Sequence, residues 1–123
     1  MTRDYNVGQI MYRLDLQSMN WDTVGTRGGE EAPSCIDEHS CCQMGNKVVV
    51  FGGFDNGERT NTVHVFDADS TTWSRRDPAD ANKPAPKPRA GHSATLHEDQ
   101  LYIFGGKDDE NYKLNDFWKF DLE

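Results

Sequence analysis

The apolar positions fall in short β-rich runs, and two of these runs contain no polar member. "VVVF" (48–51) and "LYIF" (101–104) each lead into a glycine pair, Gly52-Gly53 and Gly105-Gly106. A strand that is apolar on both faces has to be covered on both, so each run predicts a sheet packed between others. "HSCCQM" (39–44) precedes the first run and is joined to it by Gly45-Asn46, a two-residue connection suited to a tight hairpin. A third strand is expected at about 62–67, where Val63 and Val65 alternate with His64 and Phe66. The turn "DADST" then leads to a fourth strand around Trp73. The pattern predicts an all-β unit of four antiparallel strands, termed A to D.

The unit recurs. Displaced by 53 residues, "HSCCQMGNKVVVFGG" (39–53) falls on "HSATLHEDQLYIFGG" (92–106) without a gap. His39 meets His92, Ser40 meets Ser93, and the glycine pairs coincide. With one residue of slack, "VHVFDADSTTW" (63–73) covers both "MYRLDLQSMNW" (11–21) and the final "FWKFDLE" (117–123). A period of 52 to 54 residues marks a repeat architecture.

"R-x-G-H-S" at Arg89 to Ser93, the "VVVFGG" and "YIFGG" strands, an aromatic or leucine before aspartate in strand C, and a tryptophan seven residues later together resemble kelch repeats. The resemblance covers nearly the whole chain and implies a kelch-type β-propeller fragment built of four-stranded antiparallel blades. Its landmarks here are His39, Gly52, Gly53, Trp73, His92, Gly105 and Gly106. Residues 1–38 are expected to supply strands C and D of one blade plus a connecting loop. Residues 39–91 form a complete repeat with its connecting loop, and residues 92–123 form strands A to C of a third. The first full copy departs from the pattern, with "IDEHS" where the later copy has "PRAGHS". Propellers close with about 4–8 blades, so the chain reads as a piece of a longer one whose remaining blades are its first partners. On this reading it begins within a B-C loop at "TRDYNVG" and stops before its last Trp-bearing strand.

Charge and composition narrow the function. A net charge of −8 argues against general affinity for nucleic acid or anionic membrane, both of which need a positive field. No run approaches the roughly 18 apolar residues of a membrane span, and the N-terminus has no signal-peptide stretch. Three cysteines, an odd number, with no export signal predict reduced thiols and a cytoplasmic or nuclear location.

Candidate chemistry is sparse. Cys35, His39, Cys41 and Cys42 suggest a zinc site, but Cys41 and Cys42 hold the places of Ala94 and Thr95 and point to opposite faces of a strand. Packing of small side chains explains them better. "DADS" (67–70) opens like a calcium loop yet lacks its later glycine and glutamate, and reads as a C-D turn. "KPAPKPR" (83–89) never gives P-x-x-P and reads as a stiff connector. Ser40 and Ser93 follow histidines, but strand neighbours face opposite ways and make no nucleophile-base pair. The kelch-like copper oxidases and the iron-bearing specifier proteins need ligand sets whose pattern this chain lacks. No cofactor, metal or catalytic residue is expected.

Loop lengths indicate where binding belongs. The A-B turns are two residues long ("GN", "ED"), whereas the B-C loops "FDNGERTN" and "KDDENYKLN" and the D-A stretches are long and individual. Loops on a rigid scaffold carry recognition. The D-A loop at 75–89 carries five basic residues against two acidic ones; that at 22–38 carries one against five. The expected function is a non-catalytic protein-interaction module, an adaptor or scaffold that binds a protein through this loop face. Candidate contacts are Asp55, Glu58, Arg59, Arg75, Arg76, Lys83, Lys87, Lys107, Asp108, Asp109 and Tyr112. The alternative is a piece of a kelch-type propeller enzyme whose catalytic residues lie in other blades. An adjoining BTB or F-box segment would favour the first reading, and metal ligands in other blades the second.

Overall fold

The computed structural model describes residues 10–78 and 82–122. Residues 1–9, with the expected B-C loop start "TRDYNVG", lie outside the described residues, as do Asp80 and Glu123. The described residues form strands and no helix. In chain order the strands are β1 (Met11–Leu14), β2 (Trp21–Val24), β3 (Ile36–Asp37), β4 (Ser40–Met44), β5 (Lys47–Phe51) and β6 (Phe54–Asp55). They continue with β7 (Glu58–Arg59), β8 (Val63–Asp67), β9 (Thr72–Arg76), β10 (Ser93–His97), β11 (Gln100–Phe104) and β12 (Phe117–Asp121).

The central sheet has the order β4-β5-β8-β9, all antiparallel, and realises the four-strand unit A to D. Strands β10-β11-β12 repeat its first three members, and the β1-β2 hairpin its last two. The fold is all-β, consistent with part of a kelch propeller. A small additional sheet, β3-β6-β7, was not foreseen. It joins the D-A and B-C connections.

Both faces of β5 are used, as its unbroken apolar run requires. Val49 and Phe51, with Val63 and Val65 of β8, pack against Leu101 and Ile103 of β11 and against Leu122. On the opposite face Val48 and Val50 join Phe66 and Trp73 against Met11, Val24, Ala32 and Ile36. Each large apolar side chain buried this way contributes about 1.5–3 kcal/mol. The paired cysteines divide between these faces. Cys42 borders the first cluster, and Cys41 lines a hollow on the second side beside Val48 and Val50.

Three recurrent devices explain the sequence landmarks. First, Gly53 (φ +85°) and Gly106 (φ +93°) are crossed by the incoming D-A segments. A Cβ there would lie 2.4 Å from the Asp37 carbonyl oxygen and 2.8 Å from that of Ala90, respectively. Second, His92 locks two blades together: its Nε2 lies 2.8 Å from Ser40 Oγ and its ring meets Phe51 edge-on at 5.1 Å. Ser40 Oγ also lies 3.3 Å from the Phe51 carbonyl oxygen, so the hydroxyl sits between the imidazole and the strand β5 backbone. Burial, helped by the Arg89 cation, lowers the His92 pKa to about 4 and keeps the ring neutral.

Third, an aspartate caps each C-D turn. Asp67 Oδ1 accepts from the Asp69 and Ser70 amides, and Asp15 Oδ1 accepts from those of Gln17 and Ser18. The A-B and C-D turns are also tied to each other. The Ala68 amide donates to the Asn46 carbonyl, and the Leu122 amide to the Asp99 carbonyl.

Candidate functional site: the loop face

The short A-B and C-D turns occupy one end of the sheets, and the B-C and D-A connections occupy the other. At that second end the backbone itself links the loops. The D-A residues Ile36 and Asp37 pair with Asp55 and Phe54. Residues 54–59 close on themselves around Asn56 (φ +55°) and Gly57 (φ +87°), a turn that needs left-handed residues at both positions. Thr60 then bridges to Arg89, Ala90 to Lys107, and Lys107 to Lys113. One network of backbone pairs thus runs through two D-A segments and two B-C loops.

Arg89 anchors this network from inside. It is fully buried (0% exposed) and forms a two-pronged ion pair with Asp116, Nη1 to Oδ1 at 2.6 Å and Nη2 to Oδ2 at 2.7 Å. Its Nη1 also donates to the Gly105 carbonyl and its Nε to the Lys87 carbonyl. The hydrogen bonds from Arg89, and then from the Trp118 indole, hold the Asp116 carboxyl well below the usual carboxylate range. The first copy has no such arginine. Ile36 stands at the corresponding position and joins the Val50–Phe66–Trp73 cluster instead. Where the later copy has Gly91 (φ +69°), the first has Glu38 in the same left-handed conformation (φ +52°).

The candidate contact residues separate into three groups. Some are used internally. Asp55 accepts from the Ser34 and Cys35 amides and lies 3.8 Å from the buried His64. Asp108 is buried and accepts from the Glu110 and Tyr112 amides. Burial pushes the His64 pKa down, while its Nδ1 sits 2.9 Å from the Glu31 carbonyl.

A second group joins neighbouring loops. Arg59 stacks over the Phe54 ring at 4.5 Å and donates from Nη2 to Asn111 Oδ1 at 2.8 Å, linking the B-C loops of adjacent sheets. Lys87 Nζ stands 3.9 Å from Asp108 Oδ2. Around these, Glu58, Lys83, Lys107, Asp109 and Tyr112 have exposed side chains, and Tyr112 is 62% exposed.

Arg75 and Arg76 form the third group, on β9 at the edge of the central sheet, where Arg76 and Lys83 line one cleft. Arg75 pairs with Asp77, and Arg76 donates to the Leu122 carbonyl. Sequence reasoning missed Phe54 and Asn111, which position Arg59. The Asn56-Gly57 dipeptide was the available signal for the hairpin that holds Phe54.

Comparison with known proteins agrees with this architecture. The KLHDC2/KLHL20/DRC7 Kelch-repeats domain matches residues 2–123. Kelch domain-containing protein 1 of Mus musculus is 35% identical over 106 residues, covering 85% of this chain and 25% of that protein. Kelch domain-containing protein 2 of Bos taurus is 32% identical over 108 residues, covering 87% of this chain and 25% of that protein. Host cell factor 2 of Homo sapiens is 29% identical over 136 residues, covering 92% and 17%. The chain therefore spans about a quarter or less of these relatives.

Proposed function

The chain belongs to the kelch-repeat family, and from that premise we propose that it is a non-catalytic protein-interaction module whose B-C and D-A loop face binds a protein partner. The reading is supported chiefly by the continuous backbone pairing from Ile36 to Lys113, which fixes four separate connections into one surface. Fixing loops before binding reduces the ordering cost of association. The surface offers a large exposed aromatic, Tyr112, among side chains of both signs: Glu58 and Asp109 beside Lys83, Lys87 and Lys107. Aromatic residues are frequent anchors of binding, while rim charges act mainly on association rate and salt dependence. The unbridged thiols of Cys35, Cys41 and Cys42 fit a reducing compartment, the cytoplasm or nucleus.

Comparative capture from the source cell tests the reading. Wild type is set beside Tyr112→Ala with Lys83→Glu on the loop face, and beside Asp69→Lys on the turn end. A protein partner held by wild type and the turn-end variant but lost by the loop-face variant is the expected result. Loss with Asp69→Lys alone, or indifference to Tyr112 and Lys83, would overturn it.

A further inference from the structure

The hairpin of β6 and β7 turns through Asn56 and Gly57, the one place in the chain where glycine follows asparagine. Both residues are exposed, and a Cβ built on Gly57 would meet nothing within 4 Å, so the turn stands clear of the rest of the molecule. Other asparagine side chains are held. Asn46 Nδ2 donates to Asp67 and Asp69, Asn61 Nδ2 donates to the Pro86 carbonyl, and Asn111 Oδ1 accepts from Arg59. The Asn56 side chain has no hydrogen-bond partner among the described residues, and neither has the Gly57 amide. The turn is fastened only through the Asn56 amide, which donates to the Cys35 carbonyl at 2.9 Å, and through the strands on either side.

We propose that Asn56 is a modification site at which the chain rewrites its own backbone: the Gly57 amide nitrogen attacks Asn56 Cγ, and water opens the resulting ring to isoaspartate. The N–Cγ bond forms, the Cγ–Nδ2 bond breaks, and the Gly57 amide proton leaves with Nδ2 as ammonia. Water then adds to one carbonyl of the five-membered imide and returns a proton to the nitrogen. Opening at Cγ leaves aspartate; opening at the main-chain carbonyl leaves isoaspartate, whose backbone runs through Cβ and Cγ. The attack is intramolecular, and glycine has no side chain to crowd it. The left-handed turn (φ +55° and +87°) has to rotate for the nitrogen to reach Cγ, a motion that exposed loops make at little cost. Isoaspartate inserts a methylene into a two-residue turn whose length sets the pairing of Phe54 with Arg59 and of Asp55 with Glu58. Arg59, stacked over the Phe54 ring at 4.5 Å and bonded to Asn111 at 2.8 Å, thereby loses the seat from which it joins the two B-C loops. The modification stands without the loop-face reading; only its effect on a partner rests on it.

The 123-residue chain is incubated in neutral buffer at physiological temperature, beside a free peptide of residues 52–62, and both are followed by peptide mass spectrometry with chromatographic separation of isoaspartyl and aspartyl forms. In the folded chain, conversion at Asn56 is expected to run at least about tenfold faster than at any other asparagine, with isoaspartate among the products. Amide exchange at residues 54–59 should accelerate in the isoaspartyl fraction. Asn56→Asp, which carries the new charge on an ordinary backbone, should keep the exchange of the unmodified chain, and Asn56→Gln should stay unconverted. An Asn56 still intact in the chain once the free peptide has converted would overturn the proposal. So would aspartate as the sole product, unchanged exchange at 54–59 in the isoaspartyl form, equal acceleration in Asn56→Asp, or a mass shift that persists in Asn56→Gln.

Discussion

Replacing Arg89 by methionine is expected to cost about 3 kcal/mol of folding stability. Methionine retains the aliphatic stem and volume but removes four hydrogen bonds. Two charge-assisted bonds to Asp116, at about 1.5–3 kcal/mol each, and two to carbonyls, at about 0.5–1.5 kcal/mol each, set a ceiling of about 4–9 kcal/mol. Such contributions do not add fully, and breaking one partner of a buried ion pair costs about 3–5 kcal/mol. The Asp116 side chain retains 38% exposure and can rehydrate, which favours the lower end. A domain holds only about 5–15 kcal/mol, so the loss is severe. Urea unfolding followed by tryptophan fluorescence should show the midpoint lowered by about 1–3 M, given a slope of about 1–3 kcal/mol per molar. Arg89→Lys, which keeps the charge but not the fork, should fall between. If Arg89→Met unfolded within about 0.5 M of wild type, the buried pair would not be the anchor of the loop network.

Other substitutions probe the recurrent devices. Gly53→Ala should destabilise by about 2 kcal/mol or more, since its Cβ would press on the Asp37 carbonyl in a left-handed backbone; a thermal shift within error of zero would refute the close crossing. Glu38→Gly should be neutral or stabilising by up to about 1 kcal/mol, because it relieves a left-handed glutamate, and a clear loss in urea would contradict this. His92 has a folded pKa near 4 against an ordinary 6.5, so the unfolded chain binds more protons between those values. Its contribution is therefore complete above about pH 6.5 and lost as pH falls toward 4, by about 2–3 kcal/mol. His92→Gln should flatten that part of the pH-stability curve, and an unchanged curve would exclude the blade lock as its source. Burial raises the pKa of Cys41 and Cys42, so alkylation of Cys42 at pH 7 should lag behind that of exposed Cys35; equal rates would contradict the packing role.

The sheets were legible because their signals are local and doubled by the repeat. The apolar run at 48–51 makes up nearly the whole of a strand, and β5 occupies Lys47–Phe51. The glycine pairs were visible as landmarks, but their cause was not, since it lies in carbonyls that arrive from the next segment of chain. The loop face was less legible for the same reason. Arg89, counted among the basic residues of the D-A loop at 75–89, is buried and paired with Asp116, 27 residues away. Asp55 and Asp108 resemble solvated loop charges in sequence, yet backbone amides take them up. The β6-β7 hairpin was readable from Asn56-Gly57, but its pairing with Ile36 and Asp37 was not, because two-residue strands carry no periodicity.

Amide hydrogen exchange on the complex with a captured partner bears most directly on the loop-face reading. Binding should slow exchange at residues 54–61 and 107–114, within the two B-C loops, and leave the turns at 45–46 and 68–71 unchanged. Protection concentrated at those turns, with the B-C loops unaffected, would contradict it.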